Sequence, residues 1–105
     1  MLPKTARLNL KLDFKRVAVG KKLEGKFLKL FILKTGLQPK VGIALSSKNF
    51  KKAYQRNRAR RLTSKAFEQL YPVLPPADII ALPKAGILEI KSGEVVGDLN
   101  EILNS

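Results

Sequence analysis

The chain has 105 residues, with 21 Lys or Arg against eight Asp or Glu and a formal net charge of +13. It contains neither Cys nor His, which excludes disulfides, zinc sites built on those residues, Ser/His/Asp triads and imidazole proton shuttles. No apolar run approaches the ~20 residues that span a bilayer, and Lys4, Arg7, Lys11, Lys15 and Arg16 interrupt any secretory pattern, so a cytoplasmic location is expected.

The length predicts one domain, and 45% hydrophobic content suffices for a packed core. Charge is unevenly spread. Residues 1–67 hold 19 of the Lys and Arg but only two acids, Asp13 and Glu24. Residues 68–105 hold two lysines, Lys84 and Lys91, and six acids. A chain polarised in this way has one face for binding an anion and another turned elsewhere.

Apolar residues at 12, 14, 17, 18 and 19 predict a short first helix that stops at Gly20. A short strand is expected around Val19 to Leu23, with Gly25 in the turn after it. Lys26 to Leu33 reads KFLKLFIL: Phe27, Lys29, Phe31 and Leu33 share one strand face, and Leu28, Leu30 and Ile32 the other. Apolar on both faces, it is predicted to be central. Gly36 to Pro39 mark a turn, and residues 40–45 form the next strand.

A long helix is expected from near Lys51 to Tyr71, ended by Pro72. Ala59, Leu62, Ala66 and Leu70 make its core stripe, with Phe67 at the edge. Asn57, Arg58, Arg60, Arg61 and Lys65 fan around the opposite arc, and Arg56 falls at the border. Residues 78–82 predict a buried strand ending at Pro83. Ser92 is expected to cap a last helix, with Glu94 in its first turn and Val95, Val96, Leu99, Ile102 and Leu103 on its apolar face. The order α-β-β-β-α-β-α describes an α+β fold, a single open sheet of about four strands with helices on it.

The densest feature is the run from Lys48 to Lys65, which carries eight Lys or Arg and no acid. A solvated helix face ordinarily mixes signs so that i,i+4 pairs form, whereas Lys52, Arg56 and Arg60 are like charges at that spacing, each repulsion costing ~0.2–0.5 kcal/mol. An anionic partner reverses the sign. Arginine outnumbers lysine on the helix, and its planar fork matches phosphate oxygens. Asn57 adds a neutral donor and acceptor suited to sugar or base. The pattern indicates nucleic acid. Lys29 and Phe31 on one sheet face suggest a platform for single-stranded bases. Glu94, Asp98 and Glu101 read as the polar side of the last helix. The basic half lacks the paired acids that hold Mg²⁺ in protein nucleases, so no catalytic residue and no metal ligand is assigned. A DNA-binding helix would need base-reading side chains along one exposed face.

With these residues in view, the chain resembles the protein subunit of bacterial ribonuclease P. The resemblance is carried by Arg7-Leu8, Asp13-Phe14, Val17 and Gly20; by Phe27 to Leu33; by Lys40-Val41-Gly42-Ile43, Ser47-Lys48 and Ala53; and above all by Arg56-Asn57-Arg58-Ala59-Arg60-Arg61-Leu62 with Ala66-Phe67. Asp78-Ile79-Ile80 and Asp98-Leu99 match in order near the end. It implies one RNA-binding domain over residues 1–105, with a left-handed βαβ crossover. It also implies a ribonucleoprotein endonuclease that removes the 5′ leader from precursor tRNA, with the catalytic Mg²⁺ held by the RNA subunit and none bound stably by the protein alone. Carried over by position, Lys48, Lys51, Lys52, Arg56, Asn57, Arg58, Arg60, Arg61 and Lys65 meet the RNA subunit, and Phe14, Lys29 and Phe31 meet the leader. The implied partners are ribonuclease P RNA and precursor tRNA, with no membrane and no obligate protein partner. The chain departs from the family pattern at Ala18, where an aromatic is common, and at Ser64, where a basic residue is common. A ribosomal or chaperone-like RNA-binding protein is the alternative from another class.

Overall fold

The computed structural model describes residues 6–104. In chain order they form α1 (Leu10–Ala18), β1 (Lys21–Glu24), β2 (Leu28–Lys34), β3 (Lys40–Ile43), α2 (Ala53–Leu70), β4 (Ala77–Pro83) and α3 (Ser92–Leu103). Short 3-10 turns cover Tyr71–Val73 and Ala85–Glu89. The expected element order holds, with boundaries shifted by one or two residues at most ends.

The four strands make one sheet in the order β1-β2-β4-β3. β1 with β2 and β2 with β4 run antiparallel, while β3 with β4 is parallel. Parallel neighbours cannot be joined by a tight turn, and α2 supplies the crossover between them. β2 and β4 occupy the interior of the sheet, which is why both read as apolar on two faces.

The register sorts the side chains into two layers. Leu28, Leu30 and Ile32 stand beside Ala81, Ile79 and Val41 on the face that packs against α2 and α3. Phe50, Ala59, Phe67, Val95 and Leu99 complete that core, each wholly buried. The opposite face carries Lys22, Lys29, Phe31, Leu33, Asp78, Ile80 and Gly42. α1 lies across part of it. Asn9 caps α1, its Oδ1 accepting from the Lys11 N–H at 3.1 Å. Leu10 then sits directly over Gly42, where an added Cβ would come within 2.6 Å of its Cδ2. At the other end Arg16 reaches the nearly buried Asp78 at 2.6 Å and Asp13 at 3.0 Å.

Three sequence expectations are corrected. Ser92 is not the cap of α3: Lys91 takes the extended cap position, and Ser92 is the first helical residue. Glu94 does stand in the first turn. Asp98 does not belong to the polar side of α3. It is buried, and its carboxylate accepts the backbone N–H groups of Lys26 (2.8 Å), Phe27 (2.9 Å) and Leu28 (3.1 Å). Three donors left over by the β1–β2 turn make a charged acceptor stable there. Gly25 admits it, since a Cβ on Gly25 would stand 2.7 Å from both carboxylate oxygens. In α2 the buried side is rotated from the expected stripe. Thr63, Ser64 and Phe67 are buried with Ala59 and Ala66, while Leu62 and Leu70 are only half-buried. Thr63 is accommodated because its hydroxyl donates to the Ala59 carbonyl at 2.8 Å. The break in the basic run at Ser64 is therefore a turn of the helix toward the core.

Candidate nucleic-acid interface

α2 starts at a loop that is itself basic. Lys48 stands in an exposed turn, Lys51 and Lys52 lead into the helix, and Lys52 is its cap residue. The Lys52 N–H donates to Gln55 Oε1 at 3.1 Å, closing the first turn. No acid occupies that turn. The helix therefore presents its positive dipole end and its cations together, an arrangement that is unfavourable alone and attractive to phosphate.

The guanidiniums are oriented by the fold. Arg56, half-buried, donates from Nη1 to the carbonyls of Phe50 (3.0 Å) and Lys51 (3.2 Å), so it holds the basic loop against the helix. Arg58 Nε donates to the Leu88 carbonyl at 3.2 Å. Arg60 Nη1 donates to Asn57 Oδ1 at 3.0 Å. Asn57 thus orients Arg60 within the helix. Arg58, Arg60, Arg61 and Lys65 are all exposed. The ion pairs found among the described residues are Arg16–Asp13, Arg16–Asp78 and Lys84–Glu24, and none of them uses a cation of residues 48–65. A concavity of about 680 Å³ runs along α2, bordered among the described residues by Tyr54, Asn57, Arg60, Arg61, Ser64, Lys65 and Glu68.

The second surface is the sheet face beside α1. Lys29 Nζ lies 5.8 Å above the Phe31 ring, within range of a cation–π contact. Phe31 is half-buried, and Phe14 projects from α1 with 37% of its surface exposed. The fold therefore places Phe14, Lys29 and Phe31 on one side of the sheet, away from the main core.

Sequence reasoning missed two residues here. Lys22 pairs across the strand with Phe31 and is the neighbour of Lys29. The contact between the two ammonium side chains, followed by their like charge, pulls Lys29 below the ordinary lysine range. Alternation along Lys21-Lys22-Leu23-Glu24 carried that signal. Tyr54 is the other: it is 65% exposed at the start of α2, with Lys52 Nζ 5.9 Å from its ring.

The acids of the basic half have partners. Asp13 is held by Arg16, and Glu24 meets Lys84 at 3.2 Å, a contact that lowers its proton affinity. Among the described residues no three acids converge as metal ligands would, and no helix is long and apolar enough to cross a membrane.

Comparison with known proteins gives this surface a context. A family model described as Ribonuclease P matches residues 2–105. The ribonuclease P protein component of Cronobacter sakazakii is 34% identical over 64 residues, covering 61% of this chain and 54% of that protein. The same component from Nitrosococcus oceani is 35% identical over 77 residues, covering 71% and 65%. The chain spans about half the length of the curated relatives it matches. Among solved structures, the RNase P protein from Thermotoga maritima is similar, with a TM-score of 0.81 at 27% identity, covering 92% of this chain and 94% of that one. Sequence and fold agree along nearly the whole chain, and the chain belongs to the ribonuclease P protein family.

Proposed function

We propose that this chain acts as the protein subunit of ribonuclease P. α2 and its leading loop dock on the RNA subunit. The sheet face beside α1 grips the single-stranded 5′ leader of precursor tRNA. The observation that carries this reading is the acid-free basic run 48–65, whose cations have no ion-pair partner among the described acids. An RNA backbone supplies the missing counter-charge, and release of its condensed ions drives binding.

The protein's part is electrostatic and positional. It neutralises phosphates of the RNA subunit, raises affinity for precursor over mature tRNA, and lowers the Mg²⁺ that cleavage requires. The donor chemistry favours the RNA as holder of that Mg²⁺, since Asp13, Glu24 and Asp78, the acids at or beside the leader face, are each engaged by a cation. Phe14 and Phe31 offer stacking surfaces, and Lys29 with Lys22 offers charge for the leader backbone. The whole works as a single RNA-binding domain in the cytoplasm, without an obligate protein partner.

Reconstitution tests the reading. Added to a bacterial ribonuclease P RNA at low Mg²⁺, the protein should switch on cleavage that yields mature tRNA 5′ ends. Unchanged cleavage would contradict it and return the chain to a ribosomal or chaperone-like role.

A further inference from the structure

A second concavity, of about 480 Å³, opens where α2 meets the start of α3, bordered by Arg58, Arg61, Leu62, Lys65, Lys91 and Ser92. We propose that it is a further phosphate site for the RNA partner, to which Lys91 adds a contact from outside the basic run. The inference rests on the proposed function and deepens it.

Lys91 is one of two lysines in an otherwise acidic last third of the chain. The packing of α3 on α2 brings it to the α2 cations, from which it is far removed in sequence. Arg58, Arg61, Lys65 and Lys91 are all exposed, and four like charges from two separate elements share one hollow. No described acid borders it. Glu89 and Glu94 flank Lys91 in sequence, but neither lines the concavity. Arg58 is already fixed there through Nε by the Leu88 carbonyl, so part of the site is preorganised before an anion arrives. Ser92 adds a hydroxyl that suits a ribose 2′-OH.

The composition favours RNA over a protein occupant. Protein interfaces centre on apolar and aromatic residues with charge depleted. Here Leu62 is the sole apolar residue of the described lining, and it is half-buried against the core. The site is also continuous with the α2 face through Arg58, Arg61 and Lys65, so one RNA strand can follow both.

Salt dependence of binding to ribonuclease P RNA tests this. Lys91→Ala should flatten the slope of log K against log salt by ~0.7–0.9, the loss of one phosphate contact. Lys91→Arg should keep the wild-type slope. Lys34→Ala, an exposed charge at the far end of β2, should also leave it unchanged and so corrects for net charge. An unchanged Lys91→Ala slope, with wild type binding the RNA, overturns the site and spares the proposed function. So does a loss confined to precursor tRNA, which would assign the hollow to the leader. A wild-type chain that does not bind the RNA at all overturns both.

Discussion

Replacing Asp98 by Asn tests whether a buried carboxylate in α3 holds the hairpin that carries the residues proposed to face the leader. Its Oδ2 accepts from Phe27 and Leu28, and Oδ1 from Lys26. Asn retains one acceptor oxygen. Two of the bonds can survive as neutral bonds, while the amide NH₂ then faces the third donor. Bonds to a charged acceptor contribute ~1.5–3 kcal/mol against ~0.5–1.5 for neutral ones. Each surviving bond therefore loses about 1 kcal/mol. Lys26 is exposed, so water replaces most of the third. The total is about 2–3 kcal/mol, a large share of a small domain's stability. At ~4–8 °C per kcal/mol, the melting temperature should fall by about 8–24 °C in a thermal melt followed by circular dichroism. At 25 °C the folded variant should lose preference for precursor over mature tRNA more than it loses RNA-subunit affinity, because the loosened turn joins the strands that carry Lys22, Lys29 and Phe31. A melt within about 2 °C of wild type would show that the carboxylate charge does not hold the hairpin.

The same contact predicts that Gly25→Ala, which drives a Cβ toward Asp98 and Ile102, costs ~1–3 kcal/mol by overpacking. That cost should shrink in an Asp98→Ala background, measured by urea titration. Arg16→Ala should free α1 from Asp78, lowering amide exchange protection across residues 10–18 while α2 keeps its own. Lys29 should lose its proton below the ordinary lysine range when its ¹³Cε is followed by NMR, and Lys22→Ala should raise it toward that range. If Lys29 meets the leader as proposed, that binding should weaken correspondingly early as pH rises. Asn57→Ala should weaken RNA-subunit binding by ~0.5–1.5 kcal/mol, one hydrogen bond's worth. If Asn57 acts through Arg60, this loss should vanish in an Arg60→Ala background, and two additive losses would show a direct contact instead.

The element order was legible because each element carries a local signal: alternation in β2, a 3.6-residue stripe in α2, turn residues at 36–39. The basic face of α2 was legible for the same reason, since helical spacing alone sorts Arg60 from Ala66. The role of Asp98 was not. On a helical wheel it falls among acids, and only the distant turn at 26–28 explains its burial. Ser64 misled in a related way. Sequence treats it as an interruption of charge, whereas the structure buries it near the segment of Arg7 and Leu8 that pairs beside β3. Lys91 was read only as a minor charge in the acidic third. Its neighbours on α2 belong to another element, and no periodicity within one segment predicts contact between two.

These misses share a cause that bears on how the interface works. Sequence shows how many cations a helix carries but not what orients them. In this fold Arg56 is tied by two hydrogen bonds to carbonyl oxygens, and Arg58 and Arg60 by one each, to a carbonyl and to an amide oxygen. A long side chain loses ~1.5–2 kcal/mol of rotamer entropy when fixed, and here part of that loss is taken on folding rather than on binding. None of these acceptors is a carboxylate, so the guanidiniums are oriented without being neutralised. Acidic partners would have fixed them equally well and cancelled their positive field. The absence of acid from Gly25 to Phe67 is therefore as much a part of the interface as the arginines are: it keeps the positive field of a preorganised surface available to a polyanion.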